Sequence, residues 1–190
     1  CTLHAPMLDR LGQGTVTRAD EQLMQRVLFG DQEVLQFAPL KPLNRIKIPG
    51  HISAPIVGGN LATLASSVGT PLDPSGRGRI VVFEEIGERG HQVDRLLTQL
   101  ELSGFFEGCS AVVFGEFLGG KEPKNGRYLW KTVIERFAQA QSFPVFSGLA
   151  VGHGKSQKPL PLMTRATLQR ASGRVEMLVA AGSSDSGWSL

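Results

Sequence analysis

The chain has 190 residues, 41% of them hydrophobic and 19% charged, the balance of a folded domain with a substantial core rather than of a disordered segment. Its net charge of +3 comes from scattered Lys and Arg residues with no run of five and no interleaved aromatics, which argues against a nucleic-acid surface. No apolar run reaches bilayer length, and the longest, Ile80–Phe83 and Ala111–Phe114, suit buried strands.

The sequence opens Cys1-Thr-Leu-His-Ala-Pro-Met7, with no basic n-region, no signal-peptide h-region and no initiator methionine. Either a stretch has been removed upstream or the sequence starts partway through a longer protein. Ala19–Phe29 is expected to be a helix, and Glu33–Phe37 and Arg45–Ile48 short strands. Gly58-Gly59-Asn60 precedes a helical stretch through Val68, with Asn60 as its N-cap. Arg79-Ile-Val-Val-Phe83 is a continuous apolar run, as in a strand covered on both faces. Val93, Leu96, Leu97 and Leu100 recur at helical spacing, in a helix that should stop near Gly104. Ser110–Phe117 is a second apolar strand. Leu129, Val133, Ile134 and Phe137 mark a second amphipathic helix, and Pro144–Leu149 a third strand. This β-α-β-α-β order implies right-handed crossovers and a largely parallel sheet. Leu160–Arg170 and Arg174–Ala180 flank a Ser172-Gly173 turn and read as an antiparallel hairpin. The tail from Gly182 to Leu190, rich in Ser and Gly, is expected to be loose.

Two positions carry chemistry. Glu84 and Glu85 come directly after the first apolar strand, and the ends of parallel strands are where catalytic groups gather. Adjacent carboxylates there would be partly desolvated and would call for a cationic or proton-sharing partner. The plainer alternative is a solvated turn in which one carboxylate caps the next helix. His153 lies in Gly148-Leu-Ala-Val-Gly-His-Gly154, just past the third strand, where flanking glycines let the backbone turn and leave the imidazole approachable. A structural histidine is the alternative. If the two strands are neighbours, a carboxylate and an imidazole project from one edge, the base-and-orienter half of a nucleophilic triad. Glu84 would hold the ring tautomer. His153 would take a proton from a nucleophile and later donate it to the leaving amine.

Other motifs fail on inspection. Gly154-Lys155-Ser156 resembles the end of a phosphate-binding loop, but the required first glycine falls on Leu149. His4, His51, His91 and His153 are far apart in sequence, with no HExxH and no cysteine partners, so no zinc site is expected. Cys1 and Cys109 lack CxxC spacing and read as ordinary thiols of a reducing compartment, a disulfide between them being the alternative. Cys1 as an amino-terminal nucleophile would have only His4 nearby as a base.

Taken in order, several strings form a pattern: Gly58-Gly-Asn-Leu61, Gly69-Thr70, Ile80-Val-Val-Phe-Glu-Glu-Ile-Gly-Glu88, Val93-Asp-Arg-Leu-Leu-Thr-Gln-Leu100, Phe114-Gly-Glu-Phe117, Gly148-Leu-Ala-Val-Gly-His153 and Leu160-Pro-Leu162. From about His4 to about Leu168 the chain resembles the carboxy-terminal region of the LD-carboxypeptidases, or muramoyltetrapeptide carboxypeptidases. Microcin-C self-immunity peptidases share this pattern. The resemblance implies an α/β fold, a swivelling β/β/α-type carboxy-terminal domain with a mixed sheet and flanking helices. It implies a linker and joining segment over residues 1–45, leading from a missing amino-terminal nucleophile domain. The carboxy-terminal domain then covers 46–182, with a loose tail at 183–190.

The family's triad is Ser, Glu, His in chain order. The glutamate falls on Glu84 and the histidine on His153. The serine belongs to a Gly-x-Ser-Asp segment shortly before the stretch that reads His4-Ala-Pro6 here, so it is expected upstream of Cys1 and this chain alone is expected to be inactive. Ser53, Ser66 and Ser67 do not sit in that motif. The implied activity is hydrolysis of the amide between the L-centre of a diamino acid and the terminal D-alanine of murein tetrapeptides. This would be a cytoplasmic step of peptidoglycan recycling needing no metal or cofactor, and family members are often dimers. Ala5 stands for the usual glycine, Glu85 for a more typical Asp, and Met163 where Gly often follows Leu-Pro-Leu. Two alternatives remain: a non-catalytic binding or scaffold domain without the nucleophile, and an immunity-type peptidase acting on peptidyl nucleotides.

Overall fold

A computed structural model of the chain describes residues 2–72, 75–118, 120, 129–154 and 157–181. Cys1, Lys155, Ser156 and the tail expected to be loose lie outside the described residues. The elements run β1 (Thr2–His4), α1 (Leu8–Gly12), α2 (Arg18–Phe29), β2 (Val34–Pro42), β3 (His51–Asn60), α3 (Leu61–Ser66), β4 (Ile80–Ile86) and α4 (Gly90–Leu102). They continue with β5 (Ala111–Leu118), α5 (Trp130–Ala140), β6 (Val145–Ser147), β7 (Leu160–Leu162), β8 (Arg165–Ala171) and β9 (Arg174–Ala180).

The expected βαβαβ unit is present, but the sheet is not an open, largely parallel one. Its strands follow the order β2-β6-β5-β4-β3-β8-β9 and close into a barrel. Strands β3, β4, β5 and β6 are mutually parallel. The β8–β9 hairpin pairs antiparallel with β3 on one side and β2 on the other, and β2 also pairs antiparallel with β6. The fold is therefore mixed α/β with flanking helices, as the resemblance implied.

Strand alternation divides the core in two. Ile80, Val82, Ala111 and Val113 join Leu35, Phe37, Ile56, Leu168, Met177 and Val179 in one cluster. Val81, Phe83, Val112 and Phe114 face the helices instead, meeting Val93, Leu97 and Leu100 of α4 and Val133, Ile134 and Phe137 of α5. Burial on both faces explains why β4 and β5 read as unbroken apolar runs. Phe83, Phe105, Phe106, Phe114 and Phe137 interlock beneath the helices with ring centroids 5.1–6.3 Å apart.

Several boundaries moved, each for a physical reason. The expected strand Arg45–Ile48 is an irregular, mostly exposed segment, and the strand lies further on, at His51–Asn60. That strand carries Pro55 and the Gly58-Gly59 pair, residues that argue against a strand in sequence. Here glycine is required, because a Cβ on Gly58 would stand 1.8 Å from the Val82 carbonyl oxygen. Strand β2 extends beyond Phe37 to Pro42, β6 shrinks to Val145–Ser147, and β4 continues through both glutamates to Ile86. The long strand expected over Leu160–Arg170 is two. Its first part pairs antiparallel with β1, placing His4 opposite Leu160. Between them Met163 takes a φ of 63°, a left-handed conformation that suits glycine better.

Helix ends follow their signals. Asn60 caps α3 by accepting from the Thr63 amide, and Thr17 caps α2 by accepting from the Asp20 amide. Gly30, with a φ of 81°, closes α2. The turn between β8 and β9 has positive φ at both Ser172 and Gly173, as a two-residue hairpin demands.

Candidate active site

The carboxyl ends of β3, β4 and β5 and the loop after β6 meet at one end of the barrel, where parallel α/β sheets hold their ligands. Because successive strand residues point to opposite faces, the adjacent acids of β4 part company. Glu85 turns towards α3, where its carboxylate accepts from Asn60 Nδ2 (3.1 Å) and from the amides of Ala62 (2.9 Å) and Ile86 (2.8 Å). Glu85 is therefore buried within the strand and anchors the start of the preceding helix α3, not a solvated turn capping the next helix. Glu84 is fully buried and meets His153, with Oε2 2.7 Å from Nδ1. Its other oxygen, Oε1, is buried with no hydrogen-bond partner among the described residues. The His153 side chain keeps 17% of its surface exposed. The two residues singled out in the sequence are brought together although 69 positions separate them.

Local sequence makes this approach possible. The loop after β6 folds back along β5, with the Leu149 amide donating to the Phe114 carbonyl and the Glu116 amide to that of Val151. Gly152 has a φ of 133°, and a Cβ there would lie 3.2 Å from the Glu84 Cβ and 3.1 Å from the Glu116 Cβ. A side chain on Gly154 would overlap the Glu116 carboxylate. The glycines around His153 therefore do more than permit a turn, since they let the loop lie directly on the two acidic strand ends.

Five residues not expected at this site from the sequence surround the pair. Glu116, at the end of β5, accepts from the Gly154 amide through Oε2. Burial pushes its pKa up, the Gly154 amide opposes that, the Glu84 carboxylate pushes it further up, the His153 imidazole lowers it a little and the Asp20 carboxylate raises it a little. Arg10 Nη1 donates to the His153 carbonyl oxygen at 3.0 Å. Asp20 is buried on α2 and accepts from the Gln157 amide at 3.0 Å, while Gln157 Nε2 donates to the Gly154 carbonyl at 2.8 Å. His4 approaches from β1, its Nδ1 3.7 Å from where a Gly59 Cβ would be. Burial lowers the His4 pKa, Glu84 partly opposes that, and His153 lowers it further. The four histidines are separated in sequence, yet His4 and His153 share one carboxylate's surroundings. Glu116 and His4 both stand in strings that carried the family resemblance, a signal that could have flagged them.

With Nδ1 turned to Glu84, the Nδ1–H tautomer donates to the carboxylate and Nε2 is the nitrogen left to exchange a proton with a reactant. An acid–imidazole pair with this geometry can orient and stabilise a histidine acting as a general base. Among the described residues no group of three or more His, Cys, Asp and Glu residues is arranged to hold a metal ion.

Residues 53–168 match a family model described as the LD-carboxypeptidase C-terminal domain. A probable murein peptide carboxypeptidase of Bacillus subtilis is 28% identical over 172 residues, covering 90% of this chain and 53% of the relative. A putative carboxypeptidase of Streptomyces coelicolor is 30% identical over 178 residues, covering 93% of this chain and 54% of its own length. The chain thus spans about half the length of the curated relatives it matches. The crystal structure of a muramoyltetrapeptide carboxypeptidase from Oxalobacter formigenes superposes with a TM-score of 0.78 at 26% identity, over 94% of this chain and 61% of that one. The structure of MccF in complex with glutamyl sulfamoyl guanosine gives a TM-score of 0.73 at 16% identity, covering 94% of this chain and 60% of that one, a likeness of fold alone.

Proposed function

The chain belongs to the LD-carboxypeptidase family, and on that premise we propose that Glu84 and His153 are the orienting acid and general base of a serine-type carboxypeptidase. The bond cleaved is the amide between the L-centre of a diamino acid and the terminal D-alanine of a murein tetrapeptide, in cytoplasmic peptidoglycan recycling. The nucleophilic serine comes from an amino-terminal domain upstream of this chain. Residues 1–45 carry the connection to that domain, with β2 (Val34–Pro42) among them a strand of the barrel. The rest of the carboxy-terminal domain is 46–182, and the complete enzyme works as a homodimer. The single observation that supports the reading is the 2.7 Å contact between His153 Nδ1 and a fully buried carboxylate. The murein-directed relative from Bacillus subtilis accords with it.

In this reading His153 Nε2 takes the serine proton as the oxygen attacks the scissile carbonyl. Glu84 stabilises the imidazolium, and the same proton then passes to the departing D-alanine amine. Water repeats the cycle on the acyl-serine to release the shortened peptide. The serine proton leaves on the amine and a proton from water restores the serine, so His153 ends the cycle as it began.

The test is D-alanine release from murein tetrapeptide by this chain and by the chain joined to its upstream segment. The chain alone should be inactive and the joined protein active. Glu84→Ala or His153→Ala in the latter should cut turnover by about 10⁴-fold or more, because triad members act as a unit. Near-normal turnover in either variant would sink the assignment. Activity on a peptidyl nucleotide but not on murein peptide would move the substrate to the immunity-type class. An upstream segment without a serine would favour a binding domain.

A further inference from the structure

His153 stands between two glycines, the residues that least restrict their own backbone. Nothing local therefore fixes the imidazole, yet it meets Glu84 at hydrogen-bonding distance. The constraint has to come from outside the loop. The His153 carbonyl and the Gly154 amide belong to one planar peptide unit. Arg10 donates to the carbonyl end at 3.0 Å, and the Glu116 carboxylate accepts from the amide end.

We infer that Arg10 and Glu116 are positioning residues for His153, gripping the 153–154 peptide plane at its two ends and so fixing the imidazole against Glu84.

A plane held by a guanidinium on one edge and a carboxylate on the other cannot rotate without breaking both charge-assisted bonds. The two anchors come from separate elements, Arg10 from α1 and Glu116 from barrel strand β5. Gln157 extends the grip by binding the Gly154 carbonyl while its own amide is held by Asp20. Glycine at 154 follows from the clamp, because a Cβ there would stand 1.9 Å from Glu116 Oε1. Burial and the nearby carboxylates of Glu84 and Asp20 all disfavour a charge on Glu116. A carboxylate kept in such surroundings is better accounted for by what it holds than by what it adds to stability.

The inference deepens the peptidase reading and rests on it only for the kinetic consequence. The structural consequence is measurable on this chain alone, by nitrogen-15 NMR of the His153 ring. In the wild type, the Nδ1 proton should be protected and the Nδ1–H tautomer dominant. Glu116→Ala and Arg10→Ala should each lose that protected proton while the fold's circular dichroism is kept. Glu116→Gln, whose side-chain carbonyl can still accept from the Gly154 amide, should restore it. In the chain joined to its serine-bearing segment, the two alanine variants should lower kcat by about 10- to 100-fold with KM held within about twofold. An unchanged ring signal in folded Glu116→Ala and Arg10→Ala would overturn the clamp. Should Glu116→Ala fail to fold, Arg10→Ala decides by the same criterion. Loss of the ring signal in the variants, together with an inactive wild-type joined protein, would leave the clamp standing and sink the peptidase reading.

Discussion

Alanine at position 152 should weaken the fold and separate Glu84 from His153 in one step. Gly152 has a φ of 133°, outside the region open to alanine, which sets a cost of about 1–3 kcal/mol. The added Cβ would lie 3.1 Å from the Glu116 Cβ, 3.2 Å from the Glu84 Cβ and 3.3 Å from the Glu116 carbonyl oxygen. These atoms sit on or beside the backbone of barrel strands and cannot swing aside, so the loop must lift. For a domain of this size each kcal/mol lowers Tm by about 2–4 °C, giving a fall of roughly 2–12 °C. Gly173→Ala is the matched control: its φ is 77° and nothing lies within 4 Å of a Cβ there. That substitution should cost only the left-handed conformation, about 1–2 kcal/mol. Thermal unfolding followed by circular dichroism compares the two, and the His153 ring signal reports whether the Glu84 contact survives. If Gly152→Ala melts no lower than Gly173→Ala and keeps the Nδ1 signal, the close packing of loop on strand is refuted.

Three further outcomes can be checked on the isolated chain. Glu85→Ala removes a buried acceptor of three hydrogen bonds and should destabilise by on the order of 3 kcal/mol; urea unfolding measures this, and a midpoint equal to wild type would contradict it. The lowered pKa of His4 means the fold binds fewer protons there than the unfolded chain does. Its contribution is therefore complete above about pH 6.5 and is lost as pH falls through the depressed folded value. His4→Gln should flatten the fall in Tm between about pH 7 and pH 5 relative to wild type, and parallel curves would refute this. Burial pushes the Cys109 thiol up to about 12, and its Sγ lies 3.3 Å from the Ala111 carbonyl oxygen. In a Cys1→Ser background, Cys109 should resist a thiol reagent until the protein unfolds. Labelling as fast as that of a free thiol would overturn the expectation.

The sequence revealed most where a residue's role depends on near neighbours. The apolar runs of β4 and β5, the helical spacing of Val93, Leu97 and Leu100, and the Asn60 cap all read directly. Strand β3 did not, because Pro55 and Gly58-Gly59 look like breakers unless one knows that Val82 presses against Gly58. Barrel closure was hidden for the same reason, since β2 meets β9 and β3 meets β8 across more than a hundred residues. Glu84 and His153 could be named from strand ends and glycine spacing. Arg10 and Asp20 could not, because each acts on the His153 loop from a distant part of the chain, and Glu116 was marked only by the Phe114-Gly-Glu-Phe117 string. Placing the strand end three residues later would also have told the two glutamates apart.

The opposed directions of Glu84 and Glu85 make β4 intolerant of changes in residue count. Deleting one codon between Gly78 and Glu84 would present Glu85 to the imidazole and leave Ile86 where the α3 anchor now stands, whereas inserting one would send Glu84 towards α3 and set Phe83 against the imidazole. Either change would keep both glutamates in the chain yet leave one of their two positions apolar, while moving every apolar neighbour from one side of the strand to the other. Length variation should therefore be confined to the loops before and after this strand. A library of single-codon indels, selected for folding, should show that segment as a gap.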